Sequence, residues 1–139
     1  MGYDVHITRA EHYWDSKQQP ILESEWLAVV HADPTLEVDT LSYSDRRTEG
    51  GAIERQHPVA WLGHPDQTPT NPSFWYEDGE ISRKRVDDPI IKKMIEIARK
   101  LDARVVGDDG EEYDEVDGKI LVHDWAEPTA GFSSEAPPP

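Results

Sequence analysis

The sequence predicts a single α+β domain over residues 1–127, built as a mostly antiparallel sheet of about five to seven short strands with two helices, about 23–32 and 89–101, packed on it. Three patterns carry this expectation. Tyr3, Val5 and Ile7 alternate with Asp4, His6 and Thr8, the two-residue period of a strand with one buried face. Ile90, Ile91, Met94, Ile97, Ala98 and Leu101 recur at three- and four-residue spacing, the apolar stripe of a helix. Asp78-Gly79, set between Phe74-Trp75-Tyr76 and Ile81, is a reversing pair that tolerates the positive φ angles of a tight hairpin.

The remaining elements follow in chain order. Glu23 to Ala32 reads as a short helix with Trp26, Leu27 and Val30 on one side, ended by Asp33-Pro34 because the residue before proline avoids helical geometry. Leu36 and Val38 suggest a strand, and Ser44 to Gly51 a polar turn. Ala52 to Gln56 and Val59 to Leu62 are short strand candidates, bounded by Pro58 and by Gly63-His64-Pro65. Asp88 is the expected cap of the second helix, with Pro89 in its first turn. Arg104-Val105-Val106 opens the last strands, with Asp109-Gly110 as a turn and Tyr113, Val116, Ile120 and Val122 beyond it. From Pro128 to Pro139 the composition is too poor in apolar residues to order itself, and a disordered tail is expected.

At 139 residues the chain is long enough to bury about two-thirds of its unfolded surface. Trp26 and Trp61 sit where the periodic pattern points inward and are expected in the core. There is no cysteine, hence no disulfide, thiolate metal site or cysteine nucleophile, which fits a reducing compartment such as the cytoplasm. The first residues lack the basic start and apolar run of a secretory signal, and no apolar stretch is long enough to span a bilayer. A net charge of −15 argues against binding nucleic acid or anionic membranes and in favour of a basic protein partner.

That charge is uneven. Arg83 to Arg104 holds eight of the 14 basic residues and four acids, so this segment is +4 and the remainder −19. Lys92, Lys93, Arg99 and Lys100 lie off the apolar stripe, where they face water or carboxylates. The densest acidic patch comes next, in Asp108, Asp109, Glu111, Glu112, Asp114, Glu115 and Asp117. Most of these are expected to be exposed, because an unpaired buried charge is costly. The run is either a solvated hairpin or a docking face that steers a basic partner. It lacks the ligand spacing of an EF-hand loop. Phe74, Trp75 and Tyr76 are consecutive and cannot all face one side of a strand, which makes Trp75 a candidate interface anchor, with Tyr13 and Trp14 a weaker pair.

No metalloprotease, nucleophile-elbow, phosphate-loop or dinucleotide signature occurs, so no catalytic residue, cofactor or metal ligand is assigned. His57 and His64 flank an apolar strand, and a metal enzyme using both with nearby carboxylates is the catalytic alternative. His6 lies on the polar face of the first strand, where His123 would approach it if the terminal strands pair.

Gly2 to Ala10 (GYDVHITRA), the segment around Glu25, Trp26 and Leu27, and Gly107 to Tyr113 (GDDGEEY) resemble a family of small bacterial proteins over residues 2 to 113. In size, charge and lack of an active-site signature the chain also resembles the immunity proteins of polymorphic and contact-dependent toxin systems. That resemblance implies a cytoplasmic, non-enzymatic domain that neutralises a cognate toxin, such as a basic nuclease, by binding it. The alternative is an acidic regulatory or structural module.

Overall fold

The computed structural model describes residues 4–66 and 71–123; Tyr3 and the expected tail from Pro128 lie outside them. Strand β1 (Asp4–Thr8) is followed by a 3-10 turn at Tyr13–Asp15 and by helix α1 (Glu23–Ala32). Then come β2 (Leu36–Val38), β3 (Ser44–Arg47), β4 (Ile53–Gln56), β5 (Val59–Trp61), β6 (Ser73–Glu77) and β7 (Glu80–Lys84). Helix α2 (Asp88–Lys100) precedes β8 (Arg104–Gly107), β9 (Glu112–Val116) and β10 (Lys119–His123).

Eight strands form one sheet in the order β10-β9-β8-β1-β7-β6-β5-β2, and β3 and β4 form a separate two-stranded ribbon. Every pairing is antiparallel. The α+β class and the two helices therefore stand, but ten strands exceed the expected five to seven. One extra strand, β3, falls inside the segment read as a turn. A second Asp-Gly pair, Asp117 (φ 54°) and Gly118 (φ 80°), divides the final acidic segment into two full strands. The hairpin at Asp78 (φ 55°) and Gly79 (φ 83°) has the positive φ angles that its sequence requires.

The cap of α2 is Asp87, one residue before the expected Asp88. Its backbone is still extended, and its carboxylate accepts the Ile90 N–H at 3.1 Å. At the other end Asp102 (φ 55°) turns the chain, and the Ala103 N–H closes back onto the Ala98 carbonyl at 2.9 Å.

Alternation along β1 divides the molecule. Val5 and Ile7 are fully buried and join Phe74, Ile81, Val105 and the α2 stripe of Ile90, Ile91, Met94, Ile97 and Ala98 in one core. Trp26, Val29 and Val30 of α1 extend it toward Leu36, Val59 and Trp61. Both expected core tryptophans are buried. Burial of each such large side chain is worth about 1.5–3 kcal/mol. His6 and Thr8 point to the opposite face, where no helix lies and the 3-10 turn supplies the cover. Thr8 Oγ1 accepts the Ala10 N–H and donates to Ser16 Oγ at 2.7 Å, and Ser16 donates in turn to the Tyr13 carbonyl. This relay fastens the turn to β1.

Candidate functional site

On that second face His6 is 5% exposed and bridges two carboxylates. Its Nδ1 lies 2.5 Å from Glu80 Oε1 and its Nε2 lies 2.8 Å from Asp108 Oδ1. An ionised carboxylate only accepts, so both ring nitrogens carry hydrogen and the ring is an imidazolium. Burial alone would lower its pKa, but the bonds and charges of Glu80 and Asp108 outweigh burial and raise it. The Asp108 carboxyl, which burial would raise, is held below its ordinary range by His6 and by the Asp4 N–H that donates to its Oδ2 at 2.9 Å. Tyr13 stacks flat on the imidazolium, with ring centroids 3.8 Å apart and planes within 5°. Burial and the surrounding carboxylates push the Tyr13 phenol above its ordinary pKa.

The chemistry open to this centre follows from those bonds. With both ring nitrogens held by carboxylates, His6 offers neither of them to a substrate as the cluster stands. Ligand atoms of Asp4, His6 and Asp108 lie within 4.8 Å of one another and would suit a divalent cation. To take one, His6 must release its Nε2 proton and Asp4 must turn from Lys84, whose Nζ sits 3.4 Å away. As it stands, the cluster is a hydrogen-bonded knot joining β1, β7 and the β8–β9 turn under the 3-10 turn.

Beside the knot, a groove of about 360 Å³ runs between the 3-10 turn and the β8–β9 hairpin. Glu11, Asp109 and Glu112 line it with Arg104, three carboxylates to one guanidinium. Arg104 is already engaged: it donates to the Ala10 carbonyl at 2.6 Å and approaches Glu112 at 3.4 Å. Trp14 forms a wall of the groove, 63% exposed, with His12 stacked on it at 4.6 Å.

The acidic run is largely folded into the structure rather than displayed, contrary to expectation. Asp108 holds His6, Glu112 pairs with Arg104, and Asp114 meets Arg99 of α2 at 3.0 Å. Glu111 is buried and accepts the Tyr113 hydroxyl at 2.7 Å. Glu115 is half-buried, and only Asp109 and Asp117 are fully exposed. The run lowers the cost of buried charge because basic groups from β1, β8 and α2, and the run's own Tyr113 hydroxyl, meet it. Of these residues, Asp109 and Glu112 come together at the groove. Trp75 is half-buried on β6 opposite Ser82, on the same sheet face but three strands from β8.

The other histidines diverge. His57 Nδ1 bonds to the Ser42 carbonyl at 2.8 Å, while His64 Nε2 bonds to Asp87 at 2.8 Å, so the two do not form a shared site. His123 lies on edge strand β10 opposite Glu112 and does not approach His6, because β1 pairs with β7 and β8 instead. The helix-face lysines also separate. Lys93 is buried and donates to Asp33 at 2.6 Å, both side chains under a tenth exposed. Burial works against the Asp33 carboxylate, but Lys93 and Thr35 outweigh it and bring its pKa down to about 2.

Local patterning does not reveal the His6 knot, whose members are 74 and 102 positions apart along the chain. The available signals were a histidine on the polar side of a strand and two aromatics, Tyr13 and Trp14, in a polar stretch. No described helix is long and apolar enough to cross a membrane. The chain matches no protein family, no curated protein and no solved structure.

Proposed function

We propose that this chain is an immunity-type inhibitory protein, which binds a basic toxin domain in the cytoplasm and neutralises it without catalysis. The observation that carries the reading is the groove beside the 3-10 turn, where the largely exposed Trp14 stands among Glu11, Asp109 and Glu112. A tryptophan face next to carboxylates receives an arginine or lysine side chain through cation–π attraction and ion pairing together. Trp and Arg are also the side chains that supply most binding energy at interfaces. The −15 net charge steers a cationic partner toward this face from a distance. A nuclease domain fits, because the Lys and Arg that contact its phosphate substrate are the groups such a groove would occupy.

Relative to the sequence-based surface, Asp109 and Glu112 are retained in the docking surface, Trp14 moves from weaker candidate to its centre, and Glu11 is added. Asp108, Glu111 and Asp114 act by holding the hairpin in place, while Glu115, Asp117 and Trp75 form its periphery. The test is to produce the chain together with the product of the reading frame next to its gene, where an immunity protein's cognate toxin would be encoded. A tight complex whose association slows as salt rises, and rescue of growth from that product, support the reading. No complex at low salt, or an association rate indifferent to salt, overturns it.

A further inference from the structure

On the helix-covered face of the sheet, where β7 leads into α2, lies a second cavity, of about 340 Å³. Arg83 and Arg85 both line it, together with the carboxylates of Asp66 and Asp87. Arg9, Arg46, Arg55, Arg99 and Arg104 each reach a carboxylate, whereas Arg83, Arg85 and, on the separate ribbon, Arg47 reach none among the described residues. In a chain with 29 acids and 14 bases, two neighbouring arginines left without an acid are unexpected.

Arg83 is the more telling of the two. Its register opposite Val5 places it on the helix-covered face of the sheet, and it is half-buried. Nη1 donates to the Ser73 carbonyl at 3.1 Å, while Nε is shut off from solvent with no hydrogen-bond partner. A buried donor without an acceptor costs free energy, more so on a charged group. Burial draws the Arg83 pKa below its ordinary value, with Arg85 adding to that fall and Asp87 opposing it. Asn71 is in a similar position, its Oδ1 buried without a partner; a half-turn of the amide presents its NH2 instead.

The nearby acids are accounted for. The Asp66 N–H donates to His64 Nδ1, so His64 Nε2 carries the hydrogen that it gives to Asp87 Oδ2. The other oxygen of Asp87 accepts the Ile90 N–H. Asp87 is thus committed to His64 and the helix cap rather than to either arginine. The Asp66 carboxylate lines the cavity, is exposed, and works against an anion.

We infer that this cavity is a binding site for a phosphate group, free or as the monoester of a small molecule, held between the guanidiniums of Arg83 and Arg85. A phosphate monoester presents three strong acceptor oxygens, enough to bridge two guanidiniums at once, whereas a carboxylate presents only two. Guanidinium geometry favours parallel bonds to phosphate oxygens. The site lies on the opposite face of the sheet from the Trp14 groove and does not depend on the partner-binding reading.

The experiment is an NMR titration of the full chain, following the arginine Nε–H signals, with inorganic phosphate, methyl phosphate and, as control, acetate. Saturable shifts at Arg83 and Arg85 with either phosphate, and none with acetate, are expected; the tighter of the two identifies the free ion or the ester as the natural form. R85Q alters an exposed residue, leaves folding unchanged, and should weaken binding at least about tenfold, the loss of one charge-assisted pair. R47Q, on the separate ribbon, should bind as the wild type does, and D66N should bind more tightly. Absence of saturable shifts at Arg83, equal affinity in R85Q, or an equal loss in R47Q would overturn the assignment.

Discussion

On the helix-covered face of the sheet, Lys93 and Asp33 meet at 2.6 Å with both side chains under a tenth exposed. On the other face, His6 is buried to a similar degree, but its partners Glu80 and Asp108 remain 17% and 33% exposed. The difference lies in the lid. Lys93 and Asp33 are packed among α1, α2 and Trp61, whose ring lies 6.0 Å from the ammonium, and the ammonium reaches outward only to the half-exposed Glu96 at 3.3 Å. His6 is enclosed by a single 3-10 turn whose inner residue, Tyr13, stacks on the ring while the next, Trp14, stands in water. An ion pair buried between two helices serves the architecture. An ion cluster under a thin lid also fixes the position of whatever the lid displays, which here is one wall of the acidic groove.

Breaking the Lys93–Asp33 pair should have the largest effect. Lys93→Ala leaves Asp33 as a buried carboxylate without its cation, and a loss of about 3–5 kcal/mol is expected in urea unfolding at neutral pH. A loss below about 1 kcal/mol would mean that water reaches the site. Acid tests the same pair. With its folded pKa depressed to about 2, Asp33 contributes stability that is present above its unfolded value and lost as pH falls toward 2. Wild type should therefore lose stability over that window while Asp33→Asn, already weaker, changes less.

His6→Gln should cost less, about 2 kcal/mol, because the two carboxylates it abandons can partly reach water. The pH dependence has the opposite sign. The folded pKa of His6 is raised, so its contribution is complete below the unfolded value near 6.5 and fades as pH climbs through the folded value. Unfolding measured from pH 6 upward should show wild type losing stability relative to His6→Gln, and the two curves running parallel would dismiss the imidazolium. Gly107→Ala sharpens the same region, because a Cβ there collides with the Glu111 carboxylate at the root of the hairpin. Trp14→Ala should have the smallest effect on stability, within about 0.5 kcal/mol, as expected of an exposed site.

The two faces were also unequally legible in the sequence. Helix α2, the Asp78-Gly79 hairpin and the buried Trp26 and Trp61 follow from spacing and turn chemistry over a few residues. The lid face depends on which strands lie beside β1, a long-range choice that two-residue alternation does not encode. His6 was therefore placed on the polar side of its strand correctly but given the wrong neighbour, His123 instead of Glu80 and Asp108. The same limit explains the acidic run. Its charges are plain in the sequence, but Arg99, Arg104 and His6, which absorb three of them, come from elements that only the sheet order brings near. Lys93 differs from the other helix lysines solely because Asp33 ends α1 beneath it.

The most direct measurement is the affinity of wild type and Trp14→Ala for the product of the reading frame next to the gene, with the unfolding midpoint of each determined in parallel. The expected result is a tight wild-type complex weakened at least about 30-fold in Trp14→Ala, the scale of an interface anchor, at an unchanged midpoint. An equal affinity of the two proteins, or no complex with either, would contradict the assignment of the Trp14 groove as the surface that receives a basic partner.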